Sequence, residues 1–218
     1  MRIDRRRFLE LTLAGVSAPV AGSILSACAG QKNVAAAAND LTAPPTARPE
    51  VWDAIAYNTA RGAAGFIPPA YMKDIQADGG DKKHLGKHLP FVPKAFPEDR
   101  KVAGYLPLMW GDPDKGNAKH PNAAKTPEKP DGHWYNWIRL AINGEPASEV
   151  ETRFDDWPKC SDAVNGKLAG CVDPDPAAEE GKNTVYLAEL PKDAKPGDTV
   201  RVWAHCITHG EYVDFLTI

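Results

Sequence analysis

From residue 102 onward, apolar and polar positions fall into five short runs. Over Thr199–Cys206, Val200, Val202, Ala204 and Cys206 lie on one side, and Arg201, Trp203 and His205 on the other. That period-two alternation predicts a half-buried strand. Runs at 102–106, 134–142, 184–190 and 212–218 predict further strands. Pro and Gly punctuate the chain between them, as at Pro196-Gly197, which predicts a turn. A short helix is predicted over Val51–Arg61. Short strands separated by loops predict an all-β fold, a β-sandwich with loop insertions and that N-terminal helix. There is no internal repeat and no Gly-rich phosphate loop.

The chain begins differently. Arg5, Arg6 and Arg7 precede Phe8-Leu9 and a moderately apolar run to about Leu25. A charged start, apolar middle and small-residue exit predict a secretory signal over residues 1–27. The paired arginines resemble the twin-arginine type, and Leu25-Ser26-Ala27-Cys28 resembles a lipobox in which Cys28 is lipidated. These resemblances imply a protein outside the cytoplasm, in the periplasm, held to a membrane by a lipid anchor. The alternative, an uncleaved anchor, requires the run to span a bilayer, for which it is short. Residues 28–50, rich in Ala, Asn, Thr and Pro with Ala35–Ala38 and Pro44-Pro45, predict a flexible tether. Residues 51–218 are enough for one domain with a sizeable core.

Charge narrows the partners. Residues 1–27 carry Arg2, Arg5, Arg6 and Arg7 against Asp4 and Glu10, so their removal takes the formal net charge from −3 to −5. No basic stripe interleaved with aromatics is present, which argues against nucleic acid. Attraction of an anion has to come from local lysines.

Four cysteines divide into separate tasks. Cys28 belongs to the lipobox. Cys160 and Cys171 flank the polar loop 161–170, and in an oxidising compartment they predict a local disulfide that contributes roughly 3 kcal/mol or less. A redox switch or metal site is the other use of this pair, but no histidine lies close in sequence. Cys206 remains. A lone thiol in such a compartment is either buried and inert or held by a metal, to which it binds as thiolate.

Its neighbours favour the metal. Cys206-Ile207-Thr208-His209-Gly210 stands at a strand end, where a tight turn brings the imidazole back beside the sulfur. Thiolate plus imidazole suits iron, copper or zinc rather than magnesium or calcium. Upstream, His88 follows Lys87, His120 precedes Pro121, and His133 opens Trp134-Tyr135-Asn136-Trp137-Ile138. His84 lies in a charged segment and is expected to be solvated. His205 is expected to point away from the face that carries Cys206.

The series Lys-His-x-Pro, His-Pro, His-x-x-x-Trp-Ile and Cys-x-x-His-Gly resembles superoxide reductase and the iron domain of desulfoferrodoxin, over about Lys83–Phe215. The resemblance implies an immunoglobulin-like, seven-stranded β-sandwich. It implies a mononuclear iron (Fe2+/Fe3+) with His88, His120, His133 and His209 as imidazole ligands, Cys206 as axial thiolate and a sixth position open. It implies reduction of superoxide to hydrogen peroxide as a defence against oxidative stress, with Lys87 as the catalytic lysine that attracts the anion and helps deliver a proton. The simpler reading of Lys87 is a solvated lysine beside Lys82 and Lys83.

Two departures stand out. Most relatives have a glutamate before the Lys-His pair, where this chain has Gly86. The gap between the middle histidines is also long, with residues 122–132 rich in Lys and Pro, so His120 could fall short of the metal. No second, four-cysteine centre is present, so electrons have to come from a separate donor protein, and a homo-oligomer is possible. The alternatives are a cupredoxin-like copper electron-transfer protein, against which stands the lack of a methionine after His209, and a non-catalytic metal-binding interaction module.

Overall fold

A computed structural model describes residues 41–77, 80–94, 96–98, 101–158 and 181–218, together with the backbone of two short strands between the last two ranges. The signal segment, Cys28, Cys160 and Cys171 lie outside the described residues. Among those described, no helix is long and apolar enough to cross a membrane.

The chain is β-rich, with two principal antiparallel sheets. One has β1 (Pro90–Phe91), β2 (Tyr105–Trp110) and β7 (Tyr186–Glu189) in the order β1-β2-β7. The other has β3 (Tyr135–Ile142), β4 (Val150–Arg153), β8 (Thr199–Cys206) and β9 (Gly210–Thr217) in the order β4-β3-β8-β9. A two-stranded pair, β5 (Ala163–Val164) with β6 (Lys167–Leu168), stands apart from both. The alternation of β8 fulfils its prediction, since Val200, Val202, Ala204 and Cys206 are all buried. They pack with Ile138 and Leu140 of β3 and with Leu106, Leu108, Tyr186 and Ala188 of the other sheet in a single apolar cluster.

Among the described residues two α-helices precede the sheets. α1 (Ala54–Arg61) starts where Asp53 Oδ1 accepts from the Ala56 N–H at 3.0 Å, a side-chain N-cap. It stops at Gly62, whose φ of 40° ends the helical path. α2 (Pro69–Gln76) was not predicted. Pro68-Pro69 looks like a breaker, but Pro69 sits in the first turn, where its missing N–H costs nothing.

Asn58 ties α1 to the edge of the four-stranded sheet. Its side-chain amide donates to the Val213 carbonyl at 2.8 Å and accepts from the Val213 N–H at 2.9 Å. A second donor bond reaches the Ala54 carbonyl at 2.7 Å. This fully buried amide satisfies β9 much as a neighbouring strand would. Asn58→Ala leaves both Val213 backbone groups buried and unpaired, with an expected loss of about 2–4 kcal/mol. Urea unfolding checks it: the midpoint should fall with the m-value unchanged.

Residues 41–48, expected as the end of the tether, are held to the domain. Arg61 donates to the carbonyls of Leu41 and Thr42, Arg201 to that of Pro45, and Gly144 N–H to that of Thr46. This cover explains why Arg201, on the polar side of β8, is nevertheless buried and paired with Glu149.

Candidate metal centre

All five expected ligands arise at one end of the sheets. A 3₁₀ turn over Gly86–His88 leads into β1, and His88 stands just before it. The Gly111 N–H bonds to the Leu89 carbonyl, and the His120 N–H to that of Trp110. The segments bearing His88 and His120 are therefore both fastened at the end of β2. In the other sheet β3 pairs with β8 so that Tyr135 faces Cys206, with a register irregularity between Tyr135 and Trp137. Such bulges re-aim side chains near functional sites. The pairing sets His133, just ahead of β3, beside the turn that carries His209. Across the two sheets Trp110 stacks on Tyr135, with centroids 4.0 Å apart and planes 23° apart.

The β8–β9 turn requires glycine at position 210. Its φ is 88°, and a Cβ there would lie 2.6 Å from the Gly65 oxygen and from the Phe66 backbone. This close approach lets the chain reverse directly after His209.

Four side chains converge. One donor atom each from His88, His133, Cys206 and His209 lies within 4.8 Å of all the others. His209 Nδ1 is 3.2 Å from His88 Nε2, 3.0 Å from His133 Nε2 and 3.8 Å from Cys206 Sγ. With metal–ligand bonds of about 2.0–2.3 Å, neighbouring donors around one ion stand roughly 3 Å apart and opposed ones roughly 4.3 Å apart. The two imidazole spacings match the neighbouring distance, and the Cys206 sulfur at 3.8 Å falls between the two values.

The ring chemistry points the same way. His88 Nδ1 bonds to the His84 carbonyl at 2.8 Å, so it carries the proton and Nε2 presents a lone pair inward. The His133 ring bonds to the Pro121 backbone. Both Nε2 atoms face the same His209 Nδ1, which has one proton at most and cannot satisfy both. A cation at the centre satisfies all of them. Burial, reinforced by neighbouring positive groups, holds His133 down at about 4 and His209 at about 3, and holds His88 well below the usual imidazole range. The imidazoles are thus neutral and ready to ligate. Burial pushes the Cys206 thiol up to about 12, against the pull of the Thr208 and His209 N–H groups. Deprotonating it calls for a nearby cation such as a metal.

His120 is outside the convergent four. Its ring packs against His88 and His133 with centroids 4.8 Å and 4.2 Å away. It is 1 % exposed, and neither ring nitrogen has a hydrogen-bond partner. An orphaned imidazole beside a ligand cluster fits a further metal bond. The long 122–132 loop does not pull it away, because Ala123 and His133 exchange both backbone hydrogen bonds, at 2.9 Å and 2.8 Å.

Lys87 is half-buried, and burial holds its ammonium below the usual lysine range. Its Nζ lies 5.4 Å from the centre of the Tyr71 ring. Gly86 has a steric reason: a Cβ there would fall 2.4 Å from Asn117 Oδ1, so a glutamate at this position requires Asn117 to move. His205 turns away as alternation dictates, bonding to Asn136 Oδ1 at 2.6 Å and stacking on Trp137. His84, expected to be solvated, is half-buried, with an unpartnered Nδ1.

Several contributors escaped the sequence. Tyr71 stacks on His209 at 3.9 Å and 23°. Tyr212 stacks on His88 at 4.3 Å and 11° and donates to the His209 carbonyl at 2.9 Å. The Tyr212 contact was open to inference, because the residue sits three positions beyond His209 in a predicted strand. For Tyr71 no signal was available. Searches found no family model and no curated protein that matches this chain.

Proposed function

We propose that this chain is an exported, superoxide reductase-like protein that converts superoxide to hydrogen peroxide at a mononuclear iron. The observation that carries the reading is the convergence of three neutral imidazoles and one thiol, with the unpartnered His120 alongside. On this reading His88, His120, His133 and His209 are the imidazole ligands and Cys206 the thiolate, within an immunoglobulin-like sandwich. Iron held by these residues would supply the single electron. The balance is one electron and two protons per superoxide.

The remaining work belongs to the chain's own side chains. Cys206 sits at zero exposure with two amide donors on its sulfur, so its position is rigid and water is kept from it. Such N–H donors tune a thiolate ligand. Lys87 adds a positive charge next to the ligands in a protein of negative net charge, which concentrates the anionic substrate locally. Its ammonium is also a proton donor. With Gly86 in place of a carboxylate, this side of the site carries no competing negative charge from that position. Electrons come from a separate carrier, and the twin-arginine signal and lipidated Cys28 would place the domain in the periplasm on a membrane.

The test is metal content and an EPR spectrum of the oxidised protein purified from its native compartment. One iron per chain with a high-spin ferric signal and superoxide consumption is the expected result. One copper with a cupric signal would replace this reading with electron transfer. Lys87→Ala is expected to lower the second-order rate with superoxide by about tenfold and to flatten its dependence on ionic strength. Pulse radiolysis at several salt concentrations measures both.

A further inference from the structure

The segment before the superoxide reductase-like region is fastened to the strand that leaves the metal centre. Trp52 Nε1 donates to Asp214 Oδ1 at 2.8 Å, Asn58 brackets Val213, and Arg61 pairs with Glu211 at 2.7 Å. The Gly65–Phe66 backbone then lies against Gly210. These attachments step along β9 toward His209, and the helix that follows delivers Tyr71 to the cluster.

Tyr71 touches two ligands that lie 121 residues apart in sequence. Its ring stacks on His209. Its hydroxyl donates to the His84 carbonyl at 2.8 Å, and that same oxygen accepts from His88 Nδ1. His84 lies in a π-helical turn, Asp81–Leu85, and its carbonyl takes these two side-chain donors. Rotation about the bond to a histidine ring is broad and soft. An imidazole aims its lone pair only when something outside the ring fixes its plane.

Resting on the metal reading above, we propose that Tyr71 is a positioning residue of the centre. Its ring sets the plane of His209, and its hydroxyl pins the carbonyl that aims His88. The N-terminal helical segment thereby governs how tightly, and with what ligand field, the metal is held. Tyr71 reaches the site from outside the region of resemblance.

The experiment uses the full chain with Co2+ as the probe. Affinity is measured by competition with a chelator, ligand-field and thiolate charge-transfer bands by absorption, and melting with and without Co2+. Tyr71→Phe keeps the stacking ring and loses the hydroxyl, and it should weaken Co2+ binding by about tenfold; Tyr71→Leu loses both and should approach 100-fold. Both should shift the bands, and the metal-loaded form should lose more of its melting temperature than the metal-free form. If Tyr71→Leu does not fold, Tyr71→Phe decides alone. Affinities within about twofold of wild type and unshifted bands overturn the role of Tyr71. So does an equal drop in both melting temperatures with affinity unmoved, which marks plain packing. A wild-type chain that takes up no Co2+ overturns the metal reading and this inference with it.

Discussion

Cys206→Ser is expected to abolish the thiolate-to-metal charge-transfer band of the oxidised protein and to lower superoxide reduction by more than about 100-fold. Partners one shell further out are typically worth roughly 10–100-fold, and this substitution removes a donor that points into the cluster itself. Serine nearly preserves the volume, and its oxygen can still receive the Thr208 and His209 N–H groups that now reach the sulfur. The β8–β9 pairing, which closes at Cys206 and Gly210, has no reason to open. Oxygen at this position is harder and far less willing to ionise than sulfur, so neither a thiolate charge-transfer band nor electron donation from this ligand is expected of the variant. Absorption and EPR spectra of the iron-loaded variant measure the result. A band that persists unchanged would remove Cys206 from the site.

Stripping the metal is expected to destabilise the protein more than any surface change. Without a cation, His88 Nε2 and His133 Nε2 both aim lone pairs at His209 Nδ1 from 3.2 Å and 3.0 Å in a buried setting. A bound ion present at 1,000 times its dissociation constant contributes about 4 kcal/mol. For a domain of this size that corresponds to a melting-temperature drop of roughly 8–16 °C. Calorimetry before and after chelation, with ferrous iron added back under anaerobic conditions, measures it. His88→Ala is the control, since this variant should melt at one temperature with or without chelator. A wild-type melting temperature indifferent to chelation would make the four side chains a packing cluster and not a ligand set.

The parts of this protein that were legible in its sequence are those where local pattern and tertiary role coincide. In β8, alternation named the buried face and sent His205 away from Cys206, because a strand has two sides and the core takes one. The Cys-x-x-His turn was legible for the same reason, as chelation across three residues is a local act. The signals failed where the deciding partner was remote. Arg201 belongs to the polar side of β8, yet the residues at 41–48 cover it, and nothing in β8 records their return. Proline punctuation hid α2, since the same residue that breaks a helix interior suits its first turn. Tyr71 was invisible because its task is set by His209 and by a backbone oxygen, neither of which leaves a trace near position 71. The loop at 122–132 put His120 in question through its length alone, and the His120 ring lies beside the cluster but outside the four convergent donors. Length says how much chain intervenes and nothing about how far apart the ends are held.

That loop has an evolutionary side. Because Ala123 and His133 close its neck with two backbone hydrogen bonds, the exposed residues 125–131 can change without moving the ends of the loop, while Gly132 stays tied to the ligand turn through Thr208. Lys125, Lys129 and their exposed neighbours form a region where new surface can be tried while the side-chain cluster beneath keeps its spacing. A lineage can acquire or exchange partners at such a place one insertion at a time, and an engineer can graft a peptide there on the same grounds.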